Sequence, residues 1–167
     1  ILFVCLGNIC RSPLAEGIFR HEAMAAGLER DVAADSAGTG AWHIGNAPDP
    51  RSVDIARRHG IDITGLRARQ VSADDFSRFE LILAMDGSNL SALERLRPTN
   101  GNAEVRRFLE RDVPDPYYGG DDGFANVYRM VRDGSLALIE EIRAREGTVA
   151  GSRAVGPASL AKKTGRT

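Results

Sequence analysis

The stretch ILFVCLGNICRSPLAEGIFRHEAMAAG, residues 1–27, decides the fold. Its first five residues are apolar and rich in β-branched and aromatic types, the composition of a short buried strand. Gly7 and Asn8 signal a turn, and from Ser12 the apolar residues fall into helical spacing as far as about Ala26. Ser12 is the candidate N-cap, Pro13 suits the first helical position, Glu16 lies in the first turns, and Gly27 stands just past the end. Leu14, Ile18, Phe19 and Met24 form the predicted buried stripe. The segment therefore reads as strand, loop and helix.

Working outward, residues 32–36, 80–85 and 104–109 are further strand candidates, separated by helix-like stretches at 52–59, 88–97 and 124–145. In the last of these, Val127, Met130, Val131, Leu138, Ile139 and Ile142 recur at spacings of three and four, an amphipathic pattern interrupted by Gly134. Strand and helix alternate throughout, which predicts an α/β fold with a doubly wound parallel sheet and helices on both faces. Its ligand site should lie beyond the carboxyl ends of the strands, where the loop after the first strand falls.

The 167 residues, 43% hydrophobic and 27% charged, suit one domain with a core large enough to fold unaided. That domain is expected over residues 1–146. From residue 147 the sequence GTVAGSRAVGPASLAKKTGRT is small, polar and basic without a period, so 147–167 is expected to be a flexible tail. A start at Ile1 without methionine suggests that the true terminus lies slightly upstream. No internal repeat is evident.

A net charge of −1 with scattered Lys and Arg gives no footprint for nucleic acid or an anionic membrane. No apolar run approaches the roughly 20 residues of a membrane span, and the first apolar stretch is too short for a signal-peptide core. A cytoplasmic location is expected, with secretion by a route lacking a signal peptide left open. The two cysteines are too few for a disulfide scaffold and have no zinc-site spacing, so a reactive thiol becomes worth testing.

Cys5 and Arg11 stand six positions apart in the loop Cys5-Leu6-Gly7-Asn8-Ile9-Cys10-Arg11-Ser12. A loop between strand and helix can converge its backbone N–H groups on one point, with the helix dipole behind them, and so cradle a tetrahedral dianion. Gly7 and Asn8 tolerate the left-handed dihedrals of such a curl. In that field a cysteine favours its thiolate, which makes Cys5 a candidate nucleophile. Arg11 offers a planar fork for two phosphate oxygens, and Ser12 could donate to the sulfur. The bland alternative is a buried strand cysteine and a solvated arginine. Attack on a phosphate monoester also needs an acid for the leaving oxygen and then a base for water, roles that one carboxyl group can fill in turn. Asp115, in VPDPYYGG at residues 113–120, is the candidate, though an ordinary Pro-Asp-Pro turn would look the same.

With both segments in hand, the sequence closely resembles the low-molecular-weight protein-tyrosine phosphatases, through VCLGNICRSPLAEGIF at residues 4–19 and DPYYGG at 115–120. The likeness extends to Asp35-Ser36-Ala37-Gly38, Trp42-His43-Ile44-Gly45, Ala47-Pro48-Asp49-Pro50-Arg51 and Ala84-Met85-Asp86. It implies a four-stranded parallel sheet flanked by helices, and hydrolysis through a phosphocysteine without metal or other cofactor. By the same resemblance, Cys5 is the nucleophile, Arg11 the phosphate clamp and Asp115 the acid and then base. The phosphate loop runs Leu6, Gly7, Asn8, Ile9, Cys10, Arg11 and Ser12, with Asn8 bracing it and Ser12 stabilising the sulfur. Leu6, Ile9, Trp42 and Tyr117, with Tyr118 beside them, would form a slot for an aromatic ring. A deep slot disfavours the shorter phosphoserine, so the expected partner is a phosphotyrosine protein, with inorganic phosphate as product or inhibitor. Members of the family also pair a cysteine placed like Cys10 with the catalytic one, and some are phosphorylated at tyrosines placed like Tyr117 and Tyr118. A monomer or weak dimer is expected.

Three rivals stay open at this stage. An arsenate reductase shares the loop but needs further cysteines near the third strand's end, and none follows Ala84. A protein-arginine phosphatase resembles the same scaffold but carries threonine where Ile9 stands here. A non-catalytic phosphate-binding module would need neither the thiol nor Asp115. His21, His43 and His59 receive no catalytic role, and Asp86 is expected to cap the helix that follows it.

Overall fold

The computed structural model describes residues 1–154. In chain order the elements are β1 (Leu2–Cys5), α1 (Arg11–Ala25), β2 (Asp35–Gly38), α2 (Pro50–Arg58), α3 (Asp75–Arg78), β3 (Leu81–Ala84), α4 (Gly87–Leu96), β4 (Glu104–Arg107) and α5 (Asp121–Ala154). The strands form one parallel sheet in the order β2-β1-β3-β4. Because β2 lies on one side of β1 and β3 on the other, the strand order reverses at β1. The carboxyl end of β1 is thus the crevice where open α/β sheets take their ligands.

Strand β1 is buried on both faces, as a central strand of such a sheet must be. Successive side chains point to opposite faces, so Phe3 and Cys5 join the layer of α1, α2 and α5, while Leu2 and Val4 join the layer of α3 and α4. Strand β3 divides in the same way, Leu81 and Leu83 to the first layer and Ile82 and Ala84 to the second. Helices therefore cover both faces.

Several local expectations shift. Strand β2 begins at Asp35 rather than near Val32, which lies in the irregular stretch before it. Met24 is 65% exposed and stands outside the buried stripe of α1. Helix α5 passes through Gly134 unbroken, because Phe108 and Leu109 press against that position and leave no room for a side chain. It continues to Ala154, into the stretch read from composition as a tail; residues 155–167 lie outside the described residues. Among the described residues no helix is long and apolar enough to cross a membrane.

Candidate active site

The eight residues from Cys5 to Ser12 wrap around the carboxyl end of β1. Asn8 adopts φ +55°, the left-handed turn that the curl requires and that asparagine tolerates best among residues with a side chain. Gly7 does not share that conformation. A Cβ there would instead lie 3.0 Å from His43 Cδ2, a tight contact that the histidine ring would have to yield to. Gly38, paired with Cys5 across β1 and β2, is more tightly constrained, since a Cβ would lie 2.8 Å from the Leu6 carbonyl oxygen, a backbone atom of the loop.

Ser12 is not the N-cap. Helix α1 begins at Arg11 after Cys10, and no side chain caps it. The Ser12 hydroxyl turns inward to lie 3.0 Å from Cys5 Sγ, and the Asn8 backbone N–H donates to the same sulfur at 3.3 Å. Asn8 then locks the turn: its Nδ2 donates to Ser12 Oγ at 2.8 Å and to Ser36 Oγ at 3.0 Å, while its Oδ1 accepts from the Arg69 backbone N–H at 2.9 Å. Every polar atom of that amide is used, which fixes its orientation. Ser36 in turn donates to buried Glu16, whose carboxyl group burial pushes above its ordinary value against the opposing hydrogen bond from Ser36. Asn8 and Ser12 thus sit beneath the loop, not on its open face.

Arg11 is 2% exposed. Its Nη1 donates to Asp86 Oδ2 at 2.6 Å and to the Val113 carbonyl at 2.9 Å, and its Nη2 lies 3.5 Å from Asp115 Oδ2. Asp86 does cap α4, through Oδ1 and the Asn89 N–H at 2.7 Å, but its second oxygen anchors the arginine. One carboxylate therefore joins the third strand's end to the phosphate loop.

A cavity of about 400 Å³ opens above the loop, lined by Cys5, Leu6, Gly7, Ile9, Cys10 and Arg11 at its base and by Trp42, His43, Asp115, Tyr117 and Tyr118 at its rim. Cys5, at 2% exposure, lies at the bottom. Trp42 is 72% exposed and its indole covers Gly40, where any side chain would collide with it. Tyr117 and Tyr118 meet edge to face at 4.8 Å. Of the residues expected from sequence, Cys5, Leu6, Gly7, Ile9, Cys10, Arg11, Asp115, Trp42, Tyr117 and Tyr118 line this cavity, whereas Asn8 and Ser12 lie behind the loop and do not. His43, given no role from sequence, joins them; its place beside Trp42 in the chain was the available signal. Asp49 and Arg51 were also missed. Asp49 caps α2 and holds Arg51 by two side-chain hydrogen bonds of 3.0 Å. The Asp49 N–H donates to the Ile9 carbonyl at 2.8 Å, which ties this pair to the phosphate loop.

Both cysteines are free and buried. Burial, with Asp49, Cys5 and Asp115 nearby, pushes the Cys10 thiol up to about 12, so the loop contains one cysteine held firmly in its neutral form. Among the described residues no group of three or more His, Cys, Asp or Glu is placed to hold a metal ion.

Residues 1–148 match the family model for low molecular weight phosphotyrosine protein phosphatase. The chain belongs to this family. A low molecular weight phosphotyrosine protein phosphatase of Schizosaccharomyces pombe is 48% identical over 150 residues, covering 85% of this chain and 96% of the relative. The crystal structure of YfkJ from Bacillus subtilis superposes with a TM-score of 0.80 at 44% identity, over 86% of this chain and 94% of that one. The crystal structure of DARP, a Drosophila arginine phosphatase, gives a TM-score of 0.79 at 32% identity, over 84% and 96% of the two chains. The four-stranded parallel sheet expected of this phosphatase family is the sheet observed.

Proposed function

We propose that this protein-tyrosine phosphatase cleaves phosphotyrosine in proteins by two in-line transfers at Cys5. In the first, Cys5 Sγ forms a bond to phosphorus, the bond from phosphorus to the tyrosine oxygen breaks, and Asp115 passes its proton to that oxygen. In the second, Asp115 takes a proton from water, whose oxygen bonds to phosphorus as the bond to sulfur breaks. Inorganic phosphate leaves and the thiolate is restored. The observation that carries the reading is Cys5 Sγ at the base of the cavity, met by a hydroxyl at 3.0 Å and a backbone N–H at 3.3 Å, with Asp115 on the rim and Arg11 between them.

The remaining roles follow from that arrangement. Nη1 of Arg11 is committed to Asp86 and Val113, which leaves the Nε and Nη2 edge of the fork for two phosphate oxygens. Ser12 stabilises the sulfur as a leaving group, and Asn8 holds the loop in its curl. Leu6, Ile9, Trp42, Tyr117 and Tyr118 flank the aromatic ring of the substrate. Phosphoserine lacks the length to reach Cys5 from the rim. We take the protein to act as a monomer or weak dimer, and its dependence on a free thiol suits the reducing cytoplasm.

Arginine dephosphorylation is the second reading, supported by the likeness to DARP. Ile9 disfavours it, because an aliphatic side chain in the cavity gives a guanidinium no polar partner, whereas it packs well on a phenyl ring. We further propose that peroxide oxidises Cys5 to the sulfenic acid, which condenses with the Cys10 thiol to a disulfide and water. Unimpaired recovery from peroxide in Cys10→Ser would count against that pairing.

The deciding experiment measures phosphate release from matched phosphotyrosine, phosphoserine and phosphoarginine peptides with chelator present, alongside Cys5→Ser and Asp115→Asn. Turnover of phosphotyrosine alone, lost in Cys5→Ser, is expected. Preference for phosphoarginine would overturn the substrate, and activity surviving in Cys5→Ser would overturn the mechanism.

A further inference from the structure

The segment that carries Asp115 has few attachments. Val113 is fixed at both polar atoms, its N–H donating to the Met85 carbonyl at 2.8 Å and its carbonyl accepting from Arg11 at 2.9 Å. Beyond it, the hydrogen bonds of Tyr117 to Asp115 and Gly119 to Pro116 lie within the segment itself, and the Gly123 N–H bond to the Gly120 carbonyl only joins the segment's end to the first turn of α5. Among the described residues, only two bonds then join residues 114–120 to parts of the protein other than α5. One is the long contact of Arg11 with Asp115 at 3.5 Å. The other is Arg51 Nη2 donating to the Tyr117 carbonyl at 3.0 Å.

The Arg51 bond is the better built of the two. Its guanidinium is clamped by the Asp49 carboxylate through Nε and Nη2, both at 3.0 Å, and lies 4.5 Å from the Phe124 ring centroid and 5.7 Å from that of Tyr117. Asp49 is itself fixed to the phosphate loop through Ile9. Tyr117 is clamped from both sides: its carbonyl accepts from Arg51, and its N–H donates to Asp115 Oδ1 at 3.1 Å. The line from Ile9 through Asp49, Arg51 and Tyr117 to Asp115 therefore sets the height of the acid above the loop that holds Cys5.

We propose that Arg51 is a positioning residue for the proton-transfer step, holding the Tyr117 peptide so that the Asp115 carboxyl group meets the leaving oxygen. This rests on the reading of Asp115 as general acid. An acid misplaced by about 1 Å costs most where the leaving group most needs a proton. Tyrosine, with a phenol pKa near 10, is such a leaving group. A nitrophenolate is far less basic and departs with little help.

The test compares kcat/KM, which reports the first transfer, for a phosphotyrosine peptide and for para-nitrophenyl phosphate in the wild type, Arg51→Met, Arg51→Lys, Asp115→Asn and the double variant Arg51→Met with Asp115→Asn. Arg51→Met is expected to lose about tenfold on the peptide and less than about threefold on the nitrophenyl ester, a fraction of the roughly 100- to 10,000-fold that a positioned acid contributes. Arg51→Lys, able to donate to the carbonyl but not to grip Asp49 with a fork, should recover part of the loss. In the Asp115→Asn background the Arg51 change should have little further effect, because the group it positions is gone. Inhibition by inorganic phosphate, expected to stay near the wild-type level in Arg51→Met, reports an intact loop. Equal losses on both substrates, or a full additional loss in the double variant, would overturn the proposal. If Asp115→Asn itself shows no dependence on the leaving group, the general-acid reading fails instead.

Discussion

Replacing Asp86 with asparagine probes the link between strand end and phosphate loop. The two carboxylate oxygens serve different partners, Oδ1 the Asn89 N–H at the start of α4 and Oδ2 the Arg11 Nη1. Both partners are donors, and an amide offers only one acceptor atom. Whichever way the substituted amide turns, its NH₂ group faces a donor. Asparagine caps helices as well as aspartate, so the better-placed oxygen will stay on Asn89 and the arginine will lose its partner. Arg11 keeps the Val113 carbonyl and the distant Asp115, and its side chain is 3% exposed against 20% for Asp86. A wholly buried pair broken from one side costs about 3–5 kcal/mol, and a surface pair close to nothing, so this partly covered one should cost about 2 kcal/mol. Asp86→Ala should cost about 1 kcal/mol more, the worth of the lost cap. Urea unfolding of both variants, with the denaturant slope unchanged, measures the two steps. With the fork no longer held from behind, kcat/KM for a phosphotyrosine peptide should fall about tenfold, or about 1.4 kcal/mol of transition-state stabilisation. An Asp86→Asn variant within about 0.5 kcal/mol of wild type and fully active would refute the reasoning, because Asp86 would then be a cap and nothing more.

Two further outcomes follow from the titrating groups. With its pKa pushed up to about 12, Cys10 carries so little thiolate at pH 7.5, below about one part in 10,000, that iodoacetamide should modify Cys5 and spare Cys10; peptide mass mapping that finds both labelled at similar rates would contradict the assignment. Burial raises Glu16 above its ordinary 4.5, so the folded state keeps that proton to a higher pH than the unfolded chain does. Its contribution is full below 4.5 and is lost as pH rises through the raised value. Glu16→Gln, which keeps an acceptor for Ser36, should therefore gain stability relative to wild type as pH rises from 4 towards 7, and parallel unfolding curves over that range would show the group to be unperturbed in its effect.

Much of this was legible in the chain alone. Five apolar residues followed by Gly7, Asn8 and an amphipathic run define strand, turn and helix, because side-chain periodicity and turn chemistry are local properties. The alternation of such segments is enough for a parallel sheet, and the spacing of Cys5 and Arg11 on its first loop is enough to suggest an anion site. The limits were local too. Ser12 looks like an N-cap by its residue type, and only the packed structure turns its hydroxyl toward the sulfur. Met24 fits the helical stripe by period, yet among the described residues it stays largely exposed. Gly134 looks like a helix breaker until Phe108 and Leu109 are seen to require it. Asp86 lies far in sequence from Arg11, and the Asp49–Arg51 pair far from Ile9 and Tyr117, and a chain read in order says nothing of which distant groups will meet. That choice is made by the sheet order, which brings the ends of β1 and β3 together and closes the Asp115 segment over the loop.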